Sequence, residues 1–356
     1  MNPAQSAAVL TDDYDRWLAA QIPVVTADLD HKHAEMRTDR FRFLRGTYYL
    51  WLARVAERAP DALDTAGVPL VGDLHVENFG TWRDADQVRR WGVNDLDELG
   101  TGPWLLDLLR LATSAALAPH IALDDAVVCQ VLLDRYATAE AGPDLALADP
   151  TARHLDALLP SFASEAKYYD NLAAGRPADF LPAGVVADAA RVATAGWRPT
   201  WHVRVAGTGS LGHRRCVGVG PAGDGHWHAR EAKEMGPGTN VWAGPRDARL
   251  PRPDDGLYAR VLATVRGPAT SLRVAGWQLR DLAPDVVRIE LSGLRPKDEA
   301  RLLTSMARAT AHVHAADPPA LRAAQDQARA LGAQDFAALV ATMVDAVKTD
   351  FLGYGA

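Results

Sequence analysis

A chain of 356 residues has the length for one large or two ordinary domains and can bury a sizeable core. It is 48% hydrophobic and 23% charged, with a net charge of −7, a composition typical of a globular protein in water. The acidic balance argues against nucleic acid as the main partner, because a protein that reads a phosphate backbone carries a basic excess or patch.

Residues 11–60 read as helical. Phe41, Leu44, Tyr48, Leu52 and Val55 recur at helical spacing, with Thr38 or Asp39 as the cap and Pro60 as the stop. Residues 67–74 read as a short strand entering a turn, and 87–98 as a strand ending in acids. A helix is expected from Pro103 to about Ala118, with the proline in its first turn, and further helices over 121–142 and 150–173. Residues 173–184 carry two prolines and two glycines and read as loop. From 199 to 235 the pattern becomes that of strands, with "PAGDG" (221–225) as a hairpin turn. A Gly- and Pro-rich loop (236–253), a helix near 254–266, strands near 272–282 and 285–291, and helices over 296–315 and 319–350 complete the chain.

Cys129 and Cys216 lie far apart and form no CxxC pair, so neither a zinc ribbon nor a disulfide framework is expected; a reducing cytoplasm is the expected location. The N-terminus lacks the basic start and apolar run of a secretion signal. The most apolar long stretch, 102–123, is interrupted by Asp107 and Arg110, so no membrane span is expected.

Four stretches carry chemistry. "VGDLHVENFG" (71–80) gathers Asp73, His75, Glu77 and Asn78. "VNDLDELG" (93–100) places Asp95 and Asp97 two residues apart, Asp95 standing 17 residues after Asn78. "AGTGSLGHRR" (206–215) holds Gly207, Gly209, Ser210 and Gly212; its GxGxxG is followed by a strand-like run, which excludes a dinucleotide fingerprint and suits a glycine-rich hairpin lying over phosphates. Lys233 follows on the next strand, 21 residues beyond Gly212. Taken singly, each has an ordinary explanation as turn, cap or surface lysine. Together, Asp-x-x-x-x-Asn followed by a strand and another Asp is the kinase arrangement. In it, the first Asp (Asp73) orients or deprotonates an acceptor hydroxyl, and Asn78 and Asp95 hold metal. His226, His228, His312 and His314 come without a third ligand at suitable spacing and read as packing or capping.

In a kinase the glycine loop and lysine precede the catalytic Asp; here they follow it. Circular permutation reconciles the two orders, and it requires the helix that normally precedes the catalytic loop to lie near the C-terminus. "EARLLTSMARATAHVHAADP" (299–318) has that character.

The chain resembles the bacterial domain-of-unknown-function 2252 family through "FRFLRG" (41–46), "GDLHVENFG" (72–80), "NDLDE" (94–98), "GPWLLDLLRLATS" (102–114), "GTGSLGHRR" (207–215), "KE" (233–234), "QLRDL" (278–282) and "ATAHVHA" (309–315). The run from "GDLHVEN" to "GPWLLDLLRL" is also similar to aminoglycoside- and choline-type phosphotransferases. The resemblance implies a two-lobed, circularly permuted protein-kinase-like α/β (α+β) fold. Residues 1–195 and 296–356 would form a mainly helical lobe, and 196–295 a small antiparallel β lobe. It implies ATP and Mg²⁺ as cofactors and a small-molecule acceptor, with Asp73 catalytic, Asn78, Asp95 and Asp97 on metal, and Lys233, Arg280 and the glycine stretch on nucleotide. Asp97 could instead contact substrate. Asp107 would support the catalytic loop's backbone, and Arg45, like Arg280, would bind phosphate or pair with these acids. Two departures stand out: Val71 replaces the histidine that usually begins the loop, and the helix near 254–266 offers Lys233 no acidic partner. Nucleotidyl (AMP) transfer and a non-catalytic nucleotide-binding scaffold are the alternative expectations.

Overall fold

The computed structural model describes residues 5–161, 164–207, 209, 211–268 and 270–355. The helical spacing of the first sixty residues becomes α1 (Ala7–Gln21), α2 (Thr26–Met36), α3 (Arg40–Gly46) and α4 (Tyr48–Arg58). Asp39 caps α3 by accepting the Arg42 N–H (2.8 Å). The break between α3 and α4 falls at Thr47, whose hydroxyl donates to the Phe43 carbonyl (2.6 Å). A 3₁₀ turn at Pro60–Leu63 ends the run.

The next segment alternates short strands and turns: β1 (Gly67–Leu70), β2 (Phe79–Arg83), β3 (Arg89–Val93) and β4 (Gly100–Pro103). Strand β1 pairs with β4, and β2 with β3, all antiparallel. Pro103 thus closes a strand instead of opening the helix expected there. Helices α5 (Leu105–Leu117) and α6 (Asp125–Thr138) follow, then β5 (Leu145–Ala146) beside β3, and α7 (Arg153–Asp156), α8 (Glu165–Ala173) and α9 (Ala183–Val192).

Strands β6 (Thr200–Val203), β7 (Arg215–Pro221) and β8 (Trp227–Glu234) lead to α10 (Thr239–Ala243) and α11 (Leu257–Val265), then β9 (Leu272–Val274) and β10 (Trp277–Leu282). The five strands form one antiparallel sheet in the order β6-β7-β8-β10-β9. The single strand expected over 272–282 is a hairpin, because Ala275 (φ 47°) and Gly276 (φ 77°) make the two-residue turn that suits strand twist. The strand expected over 285–291 is absent: Val287 exchanges hydrogen bonds with the Thr81 backbone N–H and hydroxyl (both 2.9 Å), and no ladder forms. The chain ends with α12 (Pro296–His314), α13 (Pro318–Ala330) and α14 (Ala333–Tyr354). The helical run expected over 319–350 is broken at Gly332 (ψ 141°), where α13 and α14 meet at 99°. Among the described residues no single helix is long and apolar enough to cross a membrane.

The protein is therefore mixed α/β. One large apolar core joins α1, α3–α6 and α12–α14, with Trp104 stacked on Tyr136 (5.1 Å between centroids). On the five-stranded sheet, strand alternation separates two faces. Ala232, Cys216 and Leu279 meet Val185 and Ala189 of α9 on one face, while Glu231 and Lys233 turn to the cleft.

The loop that carries Asp73 is anchored by Asp107, which is fully buried on α5. Its carboxylate accepts the N–H groups of Val71 (2.7 Å) and Gly72 (3.0 Å) and pairs with His314 Nε2 of α12 (3.0 Å). His314 Nδ1 in turn meets the Tyr136 hydroxyl (2.7 Å). Asp107→Ala leaves two buried N–H groups without acceptors and is expected to cost about 2–6 kcal/mol in chemical denaturation, at about 1–3 kcal/mol per group; a variant as stable as the parent would contradict this anchoring.

Candidate functional site

The loop after β1 is set from below and from behind. Gly72 has φ +89° and lies against the Glu98 carbonyl, so no side chain fits there. Asp107 pins the backbone on one side of Asp73. One helical turn further along α5, Arg110 Nε donates to Asp73 Oδ1 (2.9 Å) and its Nη2 to the Leu44 carbonyl (2.9 Å). Arg110 is fully buried, with its guanidinium over Tyr48 (4.9 Å) and Trp51 (5.3 Å). Among the described residues Asp73 Oδ2 has no hydrogen-bond partner. It faces the glycine stretch, where a Cβ on Gly209 would lie 3.3 Å from it.

The β2–β3 hairpin explains the spacing from Asn78 to Asp95. It folds the chain back so that the Asn94 N–H donates to the Asn78 carbonyl (2.9 Å), which brings the two polar ends together. Asn78 is buried, and its Oδ1 accepts the His75 N–H (2.6 Å). Asp95 opens onto the cleft and has no hydrogen-bond or ion-pair partner among the described residues. The cleft walls crowd its carboxyl, and with the neighbouring Asp97 charge they push its pKa up to about 6. Asp97 is tied down: it pairs with Lys233 Nζ, and Gln278 Nε2 donates to its Oδ1 (2.7 Å). Burial alone would raise the Asp97 carboxyl, but the lysine outweighs it and holds it well below the usual range.

Antiparallel register supplies the other wall. Lys233 lies opposite Arg215 and Gln278, and Glu231 opposite Val217 and Arg280. Glu231 is buried and takes three arginines: Arg280 Nε (2.8 Å), Arg215 Nη1 (3.1 Å) and Arg204. Burial would raise its carboxyl, yet Arg280, Arg215 and Arg204 hold it far down. This cluster of guanidinium groups stands beside the unpartnered Asp95, whose charge reaches Arg280.

Asp73, Asn78, Asp95, Asp97, Gly207, Gly209, Lys233 and Arg280 line one cleft of about 1060 Å³. Gly212 does not line it; its carbonyl accepts the Val25 N–H (2.8 Å), tying the glycine stretch to the start of α2. Ser210 lies outside the described residues. Arg45 pairs with Glu77 (2.6 Å), and the acid that Lys233 lacks on α11 is Asp97. His228 bonds to Asp224 in the hairpin turn and His312 to Asp144 in the core, so these histidines pack or cap. No group of three His, Cys, Asp or Glu side chains forms a ready-made metal site among the described residues. A second, shallower groove of about 730 Å³ between α6 and α13 lacks this set of acids and cations.

Sequence reasoning passed over Arg110, Glu231, Arg204 and Gln278. The Asp107-x-x-Arg110 spacing, which puts both groups on one helix face, was a usable signal; the others depend on strand pairing.

A mixed α/β protein with an acid- and cation-lined cleft is thus defined. Residues 25–139, a span that includes the Asp73 loop, Asp95 and Asp107, match the family described as "Uncharacterized protein conserved in bacteria (DUF2252)". No curated protein and no solved structure matches the chain.

His213 faces the same cleft, with Nδ1 bonded to the Glu234 carbonyl (3.0 Å). Burial, then the Lys233 charge, lowers its pKa to about 3. The unfolded chain takes up this proton below about pH 6.5, whereas the folded protein does not until about pH 3. Stability is therefore lost as pH falls through that window. His213→Asn keeps a donor but does not titrate, so its thermal midpoint is expected to drop less than the parent's between pH 7 and pH 4; parallel curves would contradict the assignment.

Proposed function

We propose that the protein is an ATP- and Mg²⁺-dependent phosphotransferase acting on a hydroxyl of a small-molecule metabolite, built on a circularly permuted protein-kinase-like fold. The observation that carries this is the convergence, in one cleft, of Asp73, Asp95 and Lys233 beneath a glycine stretch whose Gly209 lies against Asp73. The order of the small sheet supports it: the glycine stretch joins the first two strands and the lysine sits on the third, as in a kinase. The end of α12 supports the permutation, because His314 reaches Asp107 directly beneath the Asp73 loop.

Lys233 and Arg280 would hold the nucleotide's phosphates, with Gly207 and Gly209 allowing close backbone approach. Asp95 and Asn78 suit Mg²⁺. The Asp95 carboxylate is unpartnered and crowded by Asp97, and Asn78 Oδ1, with one N–H bonded, keeps a second lone pair. When bound, the metal would neutralise charge on the phosphates. Asp97 works through Lys233, holding its ammonium over the cleft.

Arg110 fixes Asp73 Oδ1, which leaves Oδ2 to accept the acceptor's hydroxyl proton. The hydroxyl oxygen forms a bond to the γ-phosphorus, the bond to the β–γ bridging oxygen breaks, and ADP leaves. Catalysis comes from positioning and charge placement.

Asp73→Asn is expected to lower ADP release in the presence of a pooled hydroxyl-metabolite mixture by about 10²–10⁴-fold while leaving Mg·ATP affinity within a few-fold. Undiminished turnover would contradict the role of Asp73. Product mass separates phosphoryl from AMP transfer.

A further inference from the structure

Lys32 is 4% exposed, yet it lines the cleft. Among the described residues it has no hydrogen bond or ion pair. Its ammonium lies over the stacked rings of Tyr14 (5.9 Å) and Tyr49 (5.8 Å). Buried lysines without a counter-charge are costly and rare. The carboxylates whose charge reaches it face other groups as well: Asp73 is held by Arg110 through Oδ1, Glu98 accepts the Thr239 N–H (2.8 Å), and Asp15 lies beside His33 (3.0 Å), while the Lys233 ammonium opposes its charge. Burial lowers its pKa, and those acids do not offset the shift.

The position of Lys32 is specific. Gly46 ends α3 without a side chain, which lets α2 settle against it, and the Lys32 Cε lies 3.7 Å from where a Gly46 Cβ would be. Two residues before Gly46, the Leu44 carbonyl accepts from the same Arg110 that holds Asp73. Lys32 therefore belongs to the helical wall beside Asp73, whereas Lys233 and Arg280 belong to the sheet.

We propose that Lys32 is the cation of an anion subsite, and that the molecule phosphorylated in this cleft is an anionic hydroxy compound whose carboxylate or phosphate rests on Lys32 while its hydroxyl meets Asp73. The acceptor assignment rests on the phosphotransferase function proposed above; the anion subsite does not.

The test is calorimetric titration with inorganic phosphate and with glycolate, without nucleotide, on the unsubstituted protein, Lys233→Met and the double variant Lys32→Met/Lys233→Met. At least one probe is expected to bind, and which one does distinguishes a phosphate-bearing from a carboxylate-bearing acceptor. Phosphate also suits the Lys233 and Arg280 side of the cleft, so the readout is the binding that remains in Lys233→Met: adding Lys32→Met should weaken it at least tenfold, with no lower thermal midpoint than Lys233→Met alone; Lys32→Gln serves should the methionine variant fail to fold. Equal binding with and without Lys32, or no binding of either probe to the unsubstituted protein or to Lys233→Met, would overturn the subsite. Anion binding through Lys32 in a protein that does not bind Mg·ATP would overturn the acceptor assignment together with phosphotransfer, and leave only the subsite.

Discussion

The cleft depends on one buried carboxylate. Asp107 does not itself line the open site, yet it holds the backbone just before Asp73, receives the end of α12 through His314, and stands one turn from Arg110, which fixes Asp73 itself. Three segments far apart in sequence thereby share one set of hydrogen bonds. A fully buried acid is tolerated only when its oxygens are satisfied, and here two backbone donors and an imidazole do so. The same helix face therefore anchors the loop and orients its acid.

Charge placement in the cleft follows from that frame. The sheet wall carries Glu231 under three arginines and Lys233 against Asp97, and the segment just after the β2–β3 hairpin presents Asp95. Most charges are already matched. The unmatched ones are informative: Asp95, a lone carboxylate suited to a cation, and Lys32 on the helical wall, an ammonium suited to an anion. A site whose fixed charges are left incomplete at separate points fits a ligand that carries both metal and phosphate, plus a second, anionic molecule.

Much of this was legible in the sequence. Asp73, Asn78 and Asp95 stood out because their Asp-x-x-x-x-Asn and following Asp spacing is local and a short hairpin fixes their relation, and Asp107 through the resemblance that names it as a support of the loop. The helical character of the first sixty residues and the β7–β8 hairpin followed from spacing alone. What depends on distant pairing was not legible. The partner of Lys233 is Asp97, and the arginines on Glu231 come from β7, β10 and the residue after β6; only the sheet register joins them. Residues 285–291 have the β-branched composition of a strand, but Thr81 occupies the hydrogen bonds of Val287 that a ladder would need. Gly332 breaks a pattern that reads as continuously helical. Lys32 carries no signal of its own in the sequence; the packing of α2 on Gly46 places it at the cleft.

The central claim is that this cleft holds a metal-bound nucleotide through Asp95. It is tested most directly by calorimetry of ATP binding with and without Mg²⁺, on the unsubstituted protein and on Asp95→Ala. The account predicts binding that requires Mg²⁺ and is lost in the variant. Absence of binding under every condition, or equal binding with and without Mg²⁺ in both proteins, would contradict it.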